Sequence, residues 1–146
     1  MKYFNNKLKI ENVSVHTLAK KYGTPSYCYS YSQLKKNINT FKKNFNSLAP
    51  LICFAVKSNT NLNLIKEIKK FGLGADVVSM GELMLALKAG INPKKIVFSG
   101  IGKTSEEIAF AISKKILLIN VESRSEIKEI ERIAKIRNMK VDIGIR

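Results

Sequence analysis

One lysine stands at the end of an apolar segment, in the sequence Phe54-Ala55-Val56-Lys57-Ser58-Asn59. The apolar residues before it predict a buried strand, and the polar residues after it predict a loop. An amine at such a boundary is partly desolvated, which lowers its pKa and makes it a nucleophile toward carbonyl compounds. The alternative is that Lys57 only closes an apolar strand with a charge, since lysines are abundant along this chain.

A carboxylate follows on the next predicted strand, in the sequence Gly74-Ala75-Asp76-Val77-Val78-Ser79. If neighbouring strands pair in parallel, Asp76 points to the same edge of the sheet as Lys57. From there its charge could hold an ammonium or an imine in place. The alternative is an acid that is favoured only by the dipole of the helix that follows.

Other residues that suggest chemistry have simpler explanations. Glu82 fits a helix cap, and Gly81 beside it costs stability in a first helical turn, which predicts the close approach of another group. The segment Gly100-Ile101-Gly102-Lys103-Thr104 is similar to the end of a P-loop, but Val97 stands where that motif requires glycine. His16 is the only histidine and there are two cysteines, so we predict no metal site and no disulfide framework.

The chain of 146 residues carries 26 Lys and Arg against 11 Asp and Glu, a formal charge of +15 at pH 7. A nucleic-acid-binding protein is one interpretation of such a charge. The lysines recur as doublets between apolar positions along the whole chain, which is typical of solvated helix faces, so we expect no specific nucleic-acid partner. No apolar run is long enough for a membrane helix, and the first residues lack a secretory signal, so a cytoplasmic location is the default.

The positions of the apolar residues predict an alternation of strands and amphipathic helices. The predicted helices span residues 14–22, 30–46, 61–71, 79–89, 104–113 and 123–137. The predicted strands span residues 26–31, 51–57, 74–78, 95–99, 116–121 and 140–145. The first of these strands rests on three alternating tyrosines, Tyr27, Tyr29 and Tyr31. Four helices begin with the spacing of a capping box, in which a hydroxyl residue precedes Glu or Gln by three positions; these hydroxyl residues are Ser30, Ser79, Thr104 and Ser123.

From Leu51 onward, four strand–helix units and a fifth strand follow one another, which predicts an α/β fold with a parallel sheet covered by helices. A doubly wound open sheet and a (β/α)8 TIM-type barrel both accept this order. A complete barrel takes about 250 residues, so a barrel interpretation leaves about half of it outside the chain. Ending a chain in an apolar strand would leave an unpaired sheet edge, so we expect a partial barrel and an incomplete chain.

Four blocks of the sequence resemble one enzyme family in order and spacing, from about residue 24 to the end. The block from Phe54 to Asn59, continued by Leu64-Ile65, Ile68 and Gly72, is similar to the pyridoxal-phosphate attachment signature of the group IV decarboxylases, which have an alanine-racemase-like barrel. Within that group, the other blocks are most similar to the diaminopimelate decarboxylases; they span Gly72–Leu83, Lys95–Thr104 and Ile119–Ser123, followed by Glu126.

The resemblance implies a barrel that binds pyridoxal 5'-phosphate, with Lys57 as the lysine bonded to the cofactor and Asp76 close to both. It also implies that Ser99, Gly100 and Asn120 line the strand ends around the cofactor. The implied reaction is the decarboxylation of meso-2,6-diaminopimelate to L-lysine and CO2, a step of lysine biosynthesis. The implied partners are an amino-acid substrate and, for the full-length protein, a second copy in a homodimer.

The same resemblance divides the chain into two parts. Residues 1–32 would contribute a helix and a strand to a second, β-rich domain, and residues 33–146 would form the first half of the barrel. In the family, a ring-stacking His, a Gly-rich phosphate loop and a substrate-binding Arg come later than residue 146, so the chain alone is expected to be inactive. Two alternatives remain: a decarboxylase of the same fold that acts on arginine, ornithine or carboxynorspermidine, and a non-enzymatic pyridoxal-phosphate-binding or regulatory homologue.

Overall fold

Two units, Met1–Ala49 and Pro50–Arg146, make up the chain in a computed structural model that describes all residues from 1 to 146. The first unit begins with a three-stranded antiparallel sheet in sequential order. Its strands are β1 (Lys2–Phe4), β2 (Lys7–Ile10) and β3 (Val13–Ser14). Two helices follow, α1 (Val15–Tyr22) and α2 (Tyr31–Asn44), and a 3-10 turn spans Asn46–Leu48.

This small sheet was not predicted from the sequence. Its strands have only two to four residues, too few for an alternation of apolar and polar positions to stand out. The turn between β1 and β2 carried the one readable signal, the pair Asn5-Asn6. Both residues adopt a positive φ, 48° and 55°, which asparagine tolerates better than most residues and which tight hairpin turns require.

The predicted strand over residues 26–31 is wrong. Residues 26–30 form no regular element, and Tyr31 is the first residue of α2. Tyr27 is 92% exposed, and Tyr29 also points to solvent. Alternation describes which face each side chain would take in a sheet, but a strand forms only where a neighbouring strand supplies hydrogen bonds, and no strand of this chain pairs with these residues.

The second unit is a five-stranded parallel sheet whose strands follow their order in the sequence. The strands are β4 (Cys53–Ala55), β5 (Gly74–Val77), β6 (Ile96–Phe98), β7 (Leu118–Val121) and β8 (Ile143–Ile145). The helices between them are α3 (Leu62–Lys70), α4 (Met80–Lys88), α5 (Ser105–Ser113) and α6 (Arg124–Ile136). This arrangement confirms the predicted α/β class and the partial (β/α)8 barrel of four units and a fifth strand.

The core of the second unit lies between the sheet and the helices. The helices contribute buried residues such as Ile65 and Leu83, and the strands contribute every second residue, among them Val77, Phe98 and Ile119. Because strand side chains alternate between the two faces, the residues between these strand positions point away from the helices. None of the helices is both long enough and apolar enough to cross a membrane.

The four predicted capping boxes have different outcomes. Only Thr104 forms the complete box, in which its hydroxyl accepts from the Glu107 N–H and the Glu107 carboxylate accepts from the Thr104 N–H. At the starts of α4 and α6 the serine caps as predicted, but the glutamate accepts from the residue before the serine. At α2 the Gln33 side chain does not reach back and donates to Asn37 instead.

A glutamate distant in sequence takes the place of Gln33 at the start of α2. Glu11 accepts hydrogen bonds from the backbone N–H of Ser32 and from the hydroxyl of Ser30. These bonds, the Ser32 N–H first among them, lower the pKa of Glu11. A carboxylate is favoured there because the unpaired N–H groups of a helix N-terminus carry partial positive charge.

Candidate functional site

Lys57 lies in a 3-10 turn, Val56–Ser58, directly after β4. The turn is anchored by the fully buried Val56, and the hydroxyl of Ser58 donates to the carbonyl of Ala55 at 2.7 Å. The predicted strand over residues 51–57 is therefore shorter, ending at Ala55. Lys57 itself is exposed, so the expected partial desolvation is not found. The reason is that β4 is an edge strand with a neighbour on one side only.

The side chains of Asp76, Ser99 and Asn120 form one chain of hydrogen bonds across three neighbouring strands. The Ser99 hydroxyl donates to Oδ1 of Asp76 at 2.5 Å, and Nδ2 of Asn120 donates to the Ser99 hydroxyl at 3.0 Å. Because the Asn120 amide can only donate through that nitrogen, the hydroxyl proton of Ser99 goes to Asp76, which acts as acceptor. Ser99 is 5% exposed, so its hydroxyl makes these hydrogen bonds away from solvent.

Strand geometry explains why these three residues meet. Asp76 in β5 and Asn120 in β7 are flanked by core residues, so they project from the sheet face opposite the helices. Ser99 directly follows β6, and its N–H donates to the carbonyl of Val77 at 2.8 Å, which continues the parallel ladder by one residue. The carboxyl ends of parallel strands lie at one edge, where barrel proteins place their active sites. Lys57 follows the neighbouring strand at the same edge, since Ala55 pairs with Asp76.

The thiol of Cys53 in β4 is affected by the negative charge of Asp76. Burial raises the pKa of the Cys53 thiol, and the negative charge of Asp76 raises it further. The thiol is therefore held in its protonated, unreactive form. Its sulfur lies 3.8 Å from the carbonyl oxygen of Lys95. Cys53 thus packs beside the candidate site with its thiol protonated at neutral pH.

Gly100 and Lys103 shape the loop that joins β6 to α5. Gly100 has a φ of +99°, which other residues rarely adopt. The side chain of Lys103 is only 1% exposed, and its ammonium donates to the carbonyls of Gly100 and Asn120 and to Oε1 of Glu126, the last two at 2.7 and 3.0 Å. Glu126 is 8% exposed, so the two residues form a buried ion pair.

The residue types and their spacing did not indicate this role of Lys103. Its only signal was the Gly-Lys-Thr segment after a strand, which suggested a phosphate-binding loop. The structure turns the ammonium inward onto protein carbonyls. The expectation that another group approaches Gly81 closely is also wrong, because the nearest atom to a Cβ at that position would be the Ser79 hydroxyl oxygen, at an ordinary 3.8 Å.

Carboxylates join successive helix starts along the same edge. Besides capping its own helix, Glu107 accepts from the N–H of Met80, the first residue of α4, at 3.0 Å. Hydrogen bonds from the N–H groups of Thr104 and Met80 and the charge of Lys103 lower the pKa of Glu107. Ser105 in α5 donates to Glu129 in α6 at 2.6 Å. The loops that carry the site residues are therefore tied to each other as well as to the sheet.

These features define the class of the protein. Five parallel strands in sequential order, joined by helices, are one part of a (β/α)8 barrel, and an amine and a carboxylate at its carboxyl edge place polar chemistry where such barrels bind ligands. The chain belongs to the pyridoxal-dependent decarboxylases, because the family model described as their pyridoxal-binding domain matches residues 31–146.

The most similar proteins include curated and structurally solved diaminopimelate decarboxylases. The one from Aquifex aeolicus (strain VF5) is 44% identical over 146 residues, which are 100% of this chain and 34% of that protein. A crystal structure of the Helicobacter pylori protein complexed with L-lysine has a TM-score of 0.86 at 43% identity, covering 90% of this chain and 33% of that chain. The crystal structure of the m. jannaschii protein in co-complex with L-lysine has a TM-score of 0.94 at 36% identity, covering 97% of this chain and 34% of that chain.

The chain thus spans about a third of the length of the relatives it matches. Its residues suit the cofactor of the family. Lys57 offers an exposed primary amine, the group that pyridoxal phosphate needs for covalent attachment, and Asp76 offers a carboxylate on the adjoining strand of the same edge. A pyridoxal-binding domain is therefore consistent with both the family and the side chains present.

Proposed function

We propose that this chain is the cofactor-binding portion of a diaminopimelate decarboxylase, which converts meso-2,6-diaminopimelate to L-lysine and CO2. The observation that carries the proposal is the hydrogen-bonded chain of Asp76, Ser99 and Asn120 on the sheet edge that also bears Lys57. These four residues and Gly100 are the candidate site residues that were named from the sequence. The similarity to diaminopimelate decarboxylases over the whole chain supports the choice of substrate.

In this proposal Lys57 holds the cofactor covalently. Its exposure in the chain leaves the amine free to reach an aldehyde, and the anchored turn at Val56 fixes the origin of its side chain. Bound pyridoxal phosphate supplies the electron sink that stabilises the carbanion left when CO2 departs. The exposed position of Lys57 would also leave room for a substrate amine to approach the cofactor held there.

Asp76 supplies the negative charge beside Lys57. Its strand pairs with the strand that precedes Lys57, so the carboxylate would offer a negative charge to a cofactor held there. Ser99 donates to one oxygen of Asp76, which holds the carboxylate in one orientation. Asn120 in turn fixes the Ser99 hydroxyl by donating to its oxygen. We propose that Ser99, Gly100 and Asn120 line the cofactor site around Asp76.

The choice of substrate rests on the relatives. Two solved relatives are described with L-lysine, the product of the proposed reaction. The alternative substrates are arginine, ornithine and carboxynorspermidine, which related barrels decarboxylate. The non-enzymatic alternative, a regulatory pyridoxal-phosphate-binding homologue, is disfavoured by the presence of Lys57 together with Asp76, whose carboxylate the Ser99 hydroxyl orients on the adjoining strand.

We propose further that the complete protein acts as a homodimer with a second, β-rich domain. Residues 1–32 would belong to that domain and residues 33–146 to the barrel. The proposed boundary lies inside the first unit of the structure, which extends to Ala49 because α2 belongs to it. The 146-residue chain alone is expected to show no turnover, since the two edge strands of its parallel sheet, β4 and β8, each lack a neighbour on one side.

The test uses the complete gene product that contains this chain. Reduction with borohydride in the presence of pyridoxal phosphate, followed by peptide mapping, is expected to place the label on Lys57. Lys57→Ala is expected to abolish the label and CO2 release, while Lys66→Ala, which removes an exposed lysine from α3, is expected to retain both. CO2 release is compared among meso-diaminopimelate, ornithine and arginine. A label on another residue, or faster release from ornithine or arginine, would contradict the proposal.

A further inference from the structure

We propose that Lys103 is a positioning residue, whose buried ammonium holds the Ser99–Asn120 hydrogen bond in place and thereby orients Asp76 toward the cofactor. The inference rests on the proposed function only in taking Asp76 as part of the cofactor site. It concerns a residue that lies outside the candidate site residues and faces away from solvent. Its role is to act through other side chains, without touching substrate or cofactor.

The contacts of the ammonium carry the inference. A buried lysine is costly unless every donor finds an acceptor, and Lys103 has three donors and three acceptors: the carbonyls of Gly100 and Asn120 and the carboxylate of Glu126. Its ammonium also lies 5.7 Å from the centre of the Phe98 ring, a favourable distance for a cation and an aromatic face. The side chain is therefore confined to one position.

The two carbonyl acceptors belong to the segments that form the site. Gly100 directly follows Ser99, so its carbonyl fixes the backbone just beyond the serine. Asn120 presents its carbonyl to Lys103 and its side-chain amide to Ser99. Two connections therefore link the loop after β6 to β7: the ammonium of Lys103 and the hydrogen bond between Asn120 and Ser99. Loss of the ammonium would leave the loop after β6 attached to β7 by the side-chain hydrogen bond alone.

Glu126 completes the arrangement from α6. One oxygen of its carboxylate accepts from Lys103 at 3.0 Å, and the other accepts from the N–H of Glu122 at 2.7 Å. The carboxylate thus neutralises the buried ammonium and ties it to the start of the next helix. Because breaking a buried ion pair leaves an unpaired charge, we expect replacement of either partner to disturb the loop between β6 and α5.

A purely structural role for Lys103 predicts a different result from a positioning role. If Lys103 has only a structural role, its replacement lowers the stability of the protein. Any loss of cofactor affinity is then the same whether or not the Ser99 hydroxyl is present. A positioning role acts through Ser99, so once the Ser99 hydroxyl is gone, removing Lys103 costs much less. A double-mutant cycle separates the two, because residues that act through one another give non-additive effects.

The experiment measures the affinity of the complete gene product for pyridoxal phosphate, which requires no knowledge of the substrate. The variants are Lys103→Met, Ser99→Ala and the double variant, and Lys128→Met removes an exposed lysine from α6 as the matched control. We expect each single variant to weaken binding by about tenfold and the double variant to be at least about fivefold better than the product of the two losses. Lys128→Met is expected to bind as tightly as the parent.

A second readout follows the visible absorption band of the bound cofactor against pH. Lys103→Met is expected to move the midpoint of its titration, because Asp76 is then held less firmly, whereas Lys103→Arg, which keeps the charge and the donors, is expected to restore part of the shift. If Lys103→Met fails to accumulate as folded protein, Glu126→Gln, which removes the charge that pairs with Lys103, takes its place in the cycle with Ser99→Ala.

Two results would overturn the inference. One is a double variant whose affinity equals the product of the single losses. The other is a Lys103→Met variant with a lower melting temperature but an unchanged affinity and an unchanged titration of the cofactor band. Failure of the proposed function is visible separately, as a cofactor label on a residue other than Lys57 or as an absence of CO2 release from meso-diaminopimelate by the parent protein.

Discussion

Asn120 in β7 and Gly144 in β8 pair directly in the parallel sheet, and the missing side chain of Gly144 makes room for the amide of Asn120. A Cβ built at Gly144 would collide with Oδ1 of Asn120. The amide that donates to Ser99 therefore depends on a glycine in the neighbouring strand, 24 positions later in the sequence. The φ of Gly144 lies outside the positive range, so the glycine is needed for space and not for its backbone conformation.

Replacing Gly144 is therefore expected to disturb the candidate site by displacing the side chain of Asn120. Gly144→Ala in the complete gene product is expected to weaken pyridoxal phosphate binding and to lower the free energy of unfolding by about 1–3 kcal/mol, the usual range for overpacking. The measurements are cofactor titration and denaturant unfolding. Gly81→Ala is the control, because its Cβ meets no close atom. Equal cofactor affinity in Gly144→Ala and the parent would contradict the prediction, because the Asn120 side chain would then move without any effect on the site.

Gly74, the first residue of β5, is expected to be more sensitive to substitution. A Cβ at this position would collide with the backbone carbonyl of Lys95 and approach the sulfur of Cys53 to 2.9 Å. A backbone carbonyl cannot swing aside as a side chain can, so Gly74→Ala is expected to lower the free energy of unfolding by about 2–3 kcal/mol.

Denaturant unfolding measures this loss, again with Gly81→Ala as the matched glycine substitution. Gly81 lies in the first turn of α4, where alanine is expected to be neutral or to stabilise by up to about 1 kcal/mol. The prediction fails if the two substitutions have effects of the same sign and size.

The complete capping box at Thr104 gives a test of local stability. Thr104→Ala removes the hydroxyl that accepts from the N–H of Glu107 and is expected to cost about 1 kcal/mol. Thr104→Ser keeps the acceptor and is expected to recover most of that loss. Ser14→Ala is the matched control, because Ser14 precedes α1 without forming a side-chain cap.

The hydrogen-exchange rates of the first-turn amides of α5 measure the loss of the cap at the helix start itself. Faster exchange of the Glu107 amide is expected in Thr104→Ala, with parent-like exchange in Thr104→Ser. A change of similar size in Ser14→Ala would mean that the measured loss comes from hydroxyl removal in general and not from the cap.

The pKa of Glu107 connects stability to pH. Its folded pKa lies below the ordinary value of 4.5, because the N–H groups of Thr104 and Met80 donate to the carboxylate and Lys103 is positively charged. A lowered folded pKa gives stability that is present above pH 4.5 and is lost as the pH falls below it. Glu107→Gln is therefore expected to lower stability at pH 7, and its difference from the parent is expected to shrink below pH 4.5.

Denaturant midpoints at pH 7 and at several values below 4.5 check this expectation. Glu106→Gln, which changes the exposed neighbouring acid, removes an equal charge from the same helix turn. A difference between Glu107→Gln and the parent that stays constant as the pH falls would mean that the ionised carboxylate does not contribute through these hydrogen bonds.

The fold of the second unit could be predicted because each of its elements carries its own pattern. The apolar spacing of α3, with Ile65 and Ile68 buried, and the hydroxyl residues at the helix starts are local features. The strand predicted over residues 26–31 was wrong for the opposite reason. Its tyrosines alternate as in a strand, but pairing depends on a second strand, which local sequence cannot supply.

The amino-acid sequence by itself determined the α/β alternation and singled out Lys57 and Asp76, because residue type and local order are enough for these. Ser99, Gly100 and Asn120 became candidate site residues only through the resemblance to the decarboxylase family. The tertiary structure alone decided that Asp76, Ser99 and Asn120 form one hydrogen-bonded chain, since its members lie 21 and 23 positions apart. It also decided that the ammonium of Lys103 points inward. The direction of a long side chain depends on which acceptors the neighbouring strands bring within reach, and those acceptors come together only when the sheet has formed.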